Sequence, residues 1–380
     1  MMKVLYVIDS LASKGGAERI VTEKMNYLAG RFGYDVTVVT CYQDLKTMPN
    51  AYELSPNVRQ VCLSIPYYSQ YRVGYPKRLL VKSQLRRRLV NELTAAVAAA
   101  DPDILIGMGY FSADVVCGIR CRAKKIIESH DARQFTLQRQ GLSRSFLSET
   151  YMKWYRRHYF RQVERQADVV VTLTKGDARE WAGARRVEVI PNFSVMPVKA
   201  MSTGAEKRVL AVGRLEWQKG FDLLIDAWAV ASKEHPGWRL DIIGSGMLED
   251  ELRGRIAKAG LTNVAISPFT SQIGREYAAS SLFVLSSRFE GFSLVLLEAM
   301  RHGVPCVSFD CPYGPSDVMG DGICGLLAKD GDPADLAAKM GRLMGDDELR
   351  RRYAQAAVER ARIFDTDTIM GRWRSLFESL

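Results

Sequence analysis

Residues 282–303 read LFVLSSRFEGFSLVLLEAMRHG. The first four are apolar, and their number suits a short buried strand. From Leu294 on, apolar density and length suit a buried helix, so Glu290 falls on the loop joining strand to helix. Gly291 frees the backbone for a turn, Ser293 stands at the N-cap, Arg301 and His302 suit the negative end of the helix dipole, and Gly303 closes the helix. The amides near Phe292 and Ser293 then face whatever Glu290 faces. Glu298 is the only charged side chain between Leu294 and Met300. An unpaired carboxylate buried there is costly or takes up a proton, so it calls for a partner. A donor within the core satisfies that need, whether a backbone amide or an arginine; so does a ligand offering two neighbouring hydroxyls.

The order of strand, glycine-bearing loop and helix recurs along the second half of the chain. Residues 208–212 lead into Gly213-Arg214-Leu215-Glu216-Trp217-Gln218-Lys219-Gly220 and a helix from 221 to about 232. Further strands are expected at 240–243, before Gly244-Ser245-Gly246; at 264–266, before Ser267-Pro268-Phe269-Thr270; and at 304–309. Residues 333–363 read as two helices and 366–380 as a last one, carrying Trp373 and Phe377. In the first half, strands are expected at 4–8, 36–40, 104–106, 125–128 and 169–172, with helices between most of them. Alternation of this kind gives an α/β fold with parallel sheets covered on both faces, whose ligands sit at the carboxyl ends of the strands.

At 380 residues the chain exceeds what one core usually supports. Pro191-Asn192-Phe193-Ser194 and the aperiodic stretch that follows to 207 make the best linker. The boundary is therefore placed near 195, giving domains 1–195 and 196–365, with the last helix expected to pack back near the first domain. The formal charge of +10 is uneven. Residues 1–200 hold 31 Lys and Arg against 18 Asp and Glu, a surplus of +13, and the remainder carries −3. The densest clusters lie at 77–88 and 153–165, the second interleaved with Trp154, Tyr155, Tyr159 and Phe160. Basic and aromatic side chains at helical spacing suit an anionic membrane surface, or simply a solvated helix face. No groove-reading or base-stacking motif points to nucleic acid. Seven scattered cysteines and four histidines form no metal-ligand spacing, so the cysteines read as small buried hydrophobes and no metal is expected. No apolar run is long enough to span a bilayer, and Asp9 stands too near Met1 for a signal-peptide core, which points to the cytoplasm.

Three further places carry chemistry. Gly15 and Gly16 follow the first strand and precede a helix, which presents amides to an anion or merely makes a tight turn. Arg214 and Lys219, five positions apart, offer a planar fork and a point charge to a diphosphate, or are two solvated loop cations. His130 lies two residues past Glu128, at a strand end, beside Asp131.

Gly15-Gly16-Ala17-Glu18-Arg19, Gly213-Arg214-Leu215 with Gln218-Lys219-Gly220, Glu290-Gly291-Phe292 through Glu298-Ala299, and Gly314-Pro315-Ser316-Asp317 with Asp321-Gly322 and Gly325-Leu326-Leu327 stand in one order. Together they resemble the retaining glycosyltransferases of family four. The resemblance implies two Rossmann-like doubly wound domains facing across a cleft, the GT-B fold, and transfer of a sugar from a nucleoside diphosphate. It further implies that Arg214 and Lys219 bind the diphosphate, that Glu298 holds the ribose, and that Glu290 contacts the transferred sugar, with His130 nearby. The amides of Gly16, Gly291, Phe292 and Ser293, with Gly244, Phe269 and Leu294, complete the implied donor site. No metal or other cofactor is implied; uridine diphosphate is the expected carrier, and a lipid-linked glycan at the inner membrane face the expected acceptor. Pro268-Phe269-Thr270 and Asp131-Ala132 depart from the family's pattern, the first at the base and the second at the sugar. Two other classes share parts of this pattern. One is a non-catalytic sugar-nucleotide or glycan-binding protein of the same fold; the other, a dinucleotide-dependent oxidoreductase, lacks its glycine fingerprint.

Overall fold

A computed structural model of the chain describes residues 1–108, 110–130, 133 and 146–380, with side chains for all of these except 110, 111, 146–153, 155 and 156. The chain divides into two compact units, one of Met1–Leu173, Asp177–Ile190 and Met370–Leu380, the other of Thr174–Gly176 and Pro191–Ile369. The main passage from first to second lies at Pro191, within the Pro-Asn-Phe-Ser segment.

The first unit holds a sheet of seven strands: β1 (Lys3–Ile8), β2 (Asp35–Thr40), β3 (Val58–Cys62), β4 (Ile104–Met108), β5 (Lys124–Ser129), β6 (Val169–Thr172) and β7 (Val187–Val189). Their spatial order is β3-β2-β1-β4-β5-β6-β7, parallel throughout. The second holds six: β8 (Arg208–Val212), β9 (Arg239–Ile243), β10 (Val264–Ser267), β11 (Leu282–Leu285), β12 (Cys306–Phe309) and β13 (Gly325–Ala328). Their order is β10-β9-β8-β11-β12-β13, again parallel. β1, β4, β8 and β11 are almost wholly buried, as strands covered by helices on both faces must be. In each sheet the order reverses once, between β1 and β4 and between β8 and β11, and at such a switch point the loops leaving neighbouring strands diverge to open a crevice.

The last helix, Thr366–Glu378, closes on the first unit: Trp373 and Phe377 are buried, Phe377 lies 6.4 Å from Tyr34, and Arg186 donates to the Ser379 hydroxyl at 2.9 Å. Three readings of the sequence need correction. Ser293 holds the N-cap position of the helix Leu294–Arg301, but its buried hydroxyl makes no capping bond. In the cluster at 153–165, Tyr159 and Phe160 face inward, Phe160 edge-on to Trp181 at 5.3 Å, because that face of the helix Phe146–Gln166 covers the sheet. Trp154 is exposed, while the side chains of Lys153, Tyr155 and Arg156 lie outside the described residues. Of the seven cysteines, Cys121 is exposed and Cys62 half-buried, so only five behave as core. No described helix is long and apolar enough to cross a membrane.

Candidate active site

In the second unit the loops leaving β8, β11 and β12 pack on one another at the switch point. Gly220 has φ +61, and a Cβ there would overlap the Ser286 carbonyl oxygen, so only glycine lets the loop from β8 lie against the loop from β11. Further bonds join the two loops: Arg288 N–H to Gln218 O at 2.8 Å, Gln218 Nε2 to Phe289 O at 3.1 Å, and Ser286 Oγ to Lys219 O at 2.9 Å. Arg288 grips Asp222 through both guanidinium nitrogens, at 2.9 and 2.6 Å, and lies 4.8 Å from the Trp217 ring centroid. Burial works against the Asp222 charge, yet the bonds from Arg288 hold its carboxyl below the usual range.

This framework brings Lys219 to Glu290. Lys219 Nζ lies 2.7 Å from Glu290 Oε1, and the Ser287 hydroxyl donates to the same oxygen at 2.6 Å. Glu290 is buried, with Gly314 (φ +110) placed so that a Cβ would stand 3.3 Å from the Glu290 Cβ. The nearby Cys311 thiol is pushed far up by burial and then by the Glu290 charge, so it is no nucleophile. Arg214 does not join the pair: its side chain is 57 % exposed and bonds Glu216 at 3.1 Å. Phe292 turns its ring inward onto Phe364, 5.5 Å away. It can therefore offer only its amide to a ligand. Among the described residues no acceptor is found for the N–H groups of Gly291, Phe292 and Ser293, which precede the helix Leu294–Arg301. The Gly244 amide, by contrast, bonds Ser267 O at 2.9 Å, and a Cβ on it would overlap the Gly213 carbonyl; its place is set by packing. Phe269 is 66 % exposed at the end of β10.

Glu298 has a partner that neither sequence reading named. The Tyr277 hydroxyl donates to Glu298 Oε2 at 3.2 Å, and Tyr277 is fully buried on the helix Ile273–Ala278. His302 lies against Tyr277, 5.2 Å between centroids, with Nδ1 2.7 Å from Glu298 O and Nε2 buried with no partner among the described residues. Burial lowers the His302 pKa, keeping the ring neutral. Arg301 ties the helix end to the linker through Met196 O at 2.9 Å.

In the first unit Gly15 caps the helix Gly16–Arg31, and Gly16 is exposed in its first turn. The Glu18 carboxylate reaches back over Gly15, into the space a Cβ would fill. His130 follows β5, its side chain 10 % exposed and its Nε2 2.9 Å from Glu128 Oε2. Asp131 and Ala132 lie outside the described residues. Glu128 is buried and forms an ion pair with the equally buried Lys24. Sequence reading passed over both. Lys24 carried a signal, since it occupies an inward position in the stripe Ile20, Val21, Lys24, Met25, Leu28 of its helix.

Two family models match successive parts of the chain, "Glycosyltransferase Family 4" over residues 14–193 and "Glycosyl transferases group 1" over 197–360. The chain belongs to the group 1 glycosyl transferases. The amylovoran biosynthesis glycosyltransferase of Erwinia amylovora is 26 % identical to this glycosyltransferase, over 99 % of each chain. An exopolysaccharide phosphotransferase of Streptomyces coelicolor is 36 % identical over 56 % of this chain, but that match spans only 23 % of the relative's length. Among solved structures, HepE of Anabaena in complex with UDP superposes with a TM-score of 0.75 at 22 % identity, covering 100 % of both chains. The glycosyltransferase thus has the GT-B fold. Among its described residues no group of three or more His, Cys, Asp and Glu side chains is arranged to hold a metal ion.

Proposed function

We infer that this glycosyltransferase moves a hexose or N-acetylhexosamine from a UDP-sugar to a growing, lipid-linked glycan, in the synthesis of a surface polysaccharide or lipopolysaccharide. The observation that carries this reading is the buried Glu290, held through one oxygen by Lys219 and Ser287 beside three amides without acceptors. A carboxylate fixed in this way can accept a sugar hydroxyl, while the ammonium and the amides receive phosphate oxygens. Glu298 and the Tyr277 hydroxyl suit a ribose, and Arg214, exposed and weakly held, is free to swing onto the diphosphate. His130 contacts the transferred sugar. The UDP in the HepE complex and the polysaccharide named for the Erwinia relative support the choice of donor and pathway class.

The chemistry proceeds with retention and without a metal. The bond from the anomeric carbon to the β-phosphate oxygen breaks, the acceptor oxygen attacks the same face, and its proton passes to the departing phosphate oxygen. Preorganised cations and helix-end amides stabilise the charge that grows on that phosphate. A panel of nucleotide sugars, with the product's anomeric configuration read by NMR in the presence of EDTA, tests all three claims. Retained α-linked product from a UDP-sugar is expected; an inverted linkage, or loss of activity on chelation, overturns the mechanism.

On the acceptor side, no Asp or Glu occurs between Glu53 and Glu92, while Arg72, Lys77, Arg78, Lys82, Arg86, Arg87 and Arg88 do. Tyr68, Tyr75 and Leu80 in the same stretch are each about two-thirds exposed or more, and the first half of the helix Lys77–Ala100 buries no residue. Cations around exposed tyrosine and leucine suit an anionic lipid surface at the inner face of the cytoplasmic membrane. Co-sedimentation with phosphatidylglycerol vesicles is expected, weakened by salt and by the double change L79D/L80D; equal recovery with neutral vesicles would remove the anionic lipid from the reading.

A further inference from the structure

Three buried polar groups of the first unit play no part in the site as the sequence presents it. Lys24, on the helix Gly16–Arg31, and Glu128, in β5, are each almost completely buried and pair with each other. Lys24 Nζ also lies 4.5 Å from the centroid of the Trp373 ring, whose face takes the place of water on that side of the ammonium. Among the described residues the Tyr6 hydroxyl and Glu128 Oε1 find no partner in their buried positions. A buried ion pair adds little to stability compared with apolar side chains of the same volume. Its presence beneath the strand end that carries His130 therefore calls for another explanation.

That explanation lies in how Glu128 divides its bonds. Both its contacts, to Lys24 and to His130, fall on Oε2. Burial alone would raise the Glu128 pKa, but the Lys24 charge and the His130 bond hold it below the ordinary value, so the carboxylate is ionised. An ionised carboxylate has only lone pairs to offer, and the ring nitrogen facing it must carry the hydrogen. Nε2 is thus the donor to Glu128, and in the neutral ring Nδ1 is left as an acceptor.

We propose that Glu128, kept charged by Lys24, is the positioning residue for His130: it fixes the imidazole as the Nε2–H tautomer and presents Nδ1 to accept a hydroxyl hydrogen of the transferred sugar. This rests on the reading of His130 as a sugar contact. The pair never touches the ligand; it decides which way the ring faces and which nitrogen is bare.

The test uses the full chain and two readouts. Long-range proton–nitrogen spectra of the His130 ring report the tautomer without any ligand, and kcat and KM are measured with the UDP-sugar turned over in the panel above. Removing one charge leaves the other stranded and threatens the fold, so the informative variant is K24M/E128M, which removes both charges and leaves no acceptor opposite Nε2. It is expected to melt near the wild type, to lose the single Nε2–H tautomer, and to lose transfer on the order of 100-fold, mostly in kcat. An unchanged tautomer, or unchanged kcat beside a changed tautomer, overturns the proposal. H130A separates it from the reading beneath it: wild-type transfer in H130A removes His130 from the site altogether, whereas loss in H130A with full activity in K24M/E128M refutes only the positioning role.

Discussion

Both hydrogen bonds accepted by Glu290 fall on one oxygen, and Lys219 supplies one of them. Glu290→Gln keeps the shape and removes the charge opposite the ammonium. It is expected to fold normally and to lose kcat by on the order of 100- to 1000-fold, with UDP binding by calorimetry much less affected. A variant with wild-type kcat would take Glu290 out of the chemistry. Tyr277→Phe deletes one hydroxyl from Glu298 and leaves the ring stacked on His302. Weaker UDP binding with kcat unchanged at saturation is the expected pattern; equal losses from UDP and from free phosphate would argue against a ribose. Asp9 gives a prediction in pH. Burial, and then the charge of Glu18, push its carboxyl up to about 7. Unfolded, it titrates near ~3.9. Between these values the folded chain holds a proton that the unfolded chain has released, so stability falls as pH rises, and the full penalty is present above 7. Urea unfolding at pH 5 and pH 8 should show Asp9→Asn gaining on the wild type at the higher pH; a constant difference between the two proteins would place Asp9 in a solvated setting.

The loops depend on glycine at two crossings. At Gly220 an alanine faces both a positive φ and the Ser286 carbonyl; at Gly244 it faces the Gly213 carbonyl. Gly220→Ala is expected to cost about 2 kcal/mol or more. Because the same crossing places Lys219 against Glu290, kcat should fall in the fraction that still folds, as chemical denaturation and active-site titration together would reveal. Strands buried on both faces were legible, since β11 is apolar throughout and β1 and β8 are unbroken apolar runs after their first residues, Lys3 and Arg208. β3 and β13 were not. Val58-Arg59-Gln60-Val61-Cys62 is an edge strand with only Val58 buried, and Gly325-Leu326-Leu327-Ala328 is short and opens on glycine, so neither shows the apolar run of a central strand. At the site, motif spacing pointed to Glu290, Glu298 and Lys219. Partners contributed from elsewhere in the sequence had no local mark: Tyr277 stands 21 residues from Glu298, and Lys24 stands 104 from Glu128. Aromatic residues at helical spacing misled for a related reason. Composition registers Tyr159 and Phe160 without telling which side of the helix meets the sheet.

At the scale of the whole molecule, residues 370–380 belong with the first unit although the second stands between them in the chain. Trp373 covers Lys24, and Phe377 packs near Tyr34. Trp373→Ala is expected to destabilise by about 3–5 kcal/mol. Hydrogen exchange should locate that loss in β1 and β5, with β8 and β11 protected as before; uniform loss across both sheets would mean that the two units unfold as one. The same feature sets the order in which a ribosome can deliver the protein. When residues 1–190 have emerged, their sheet can form, but Lys24 has no ring above it, and none arrives until all of the second unit has been translated. The unit made first is therefore the last to be finished.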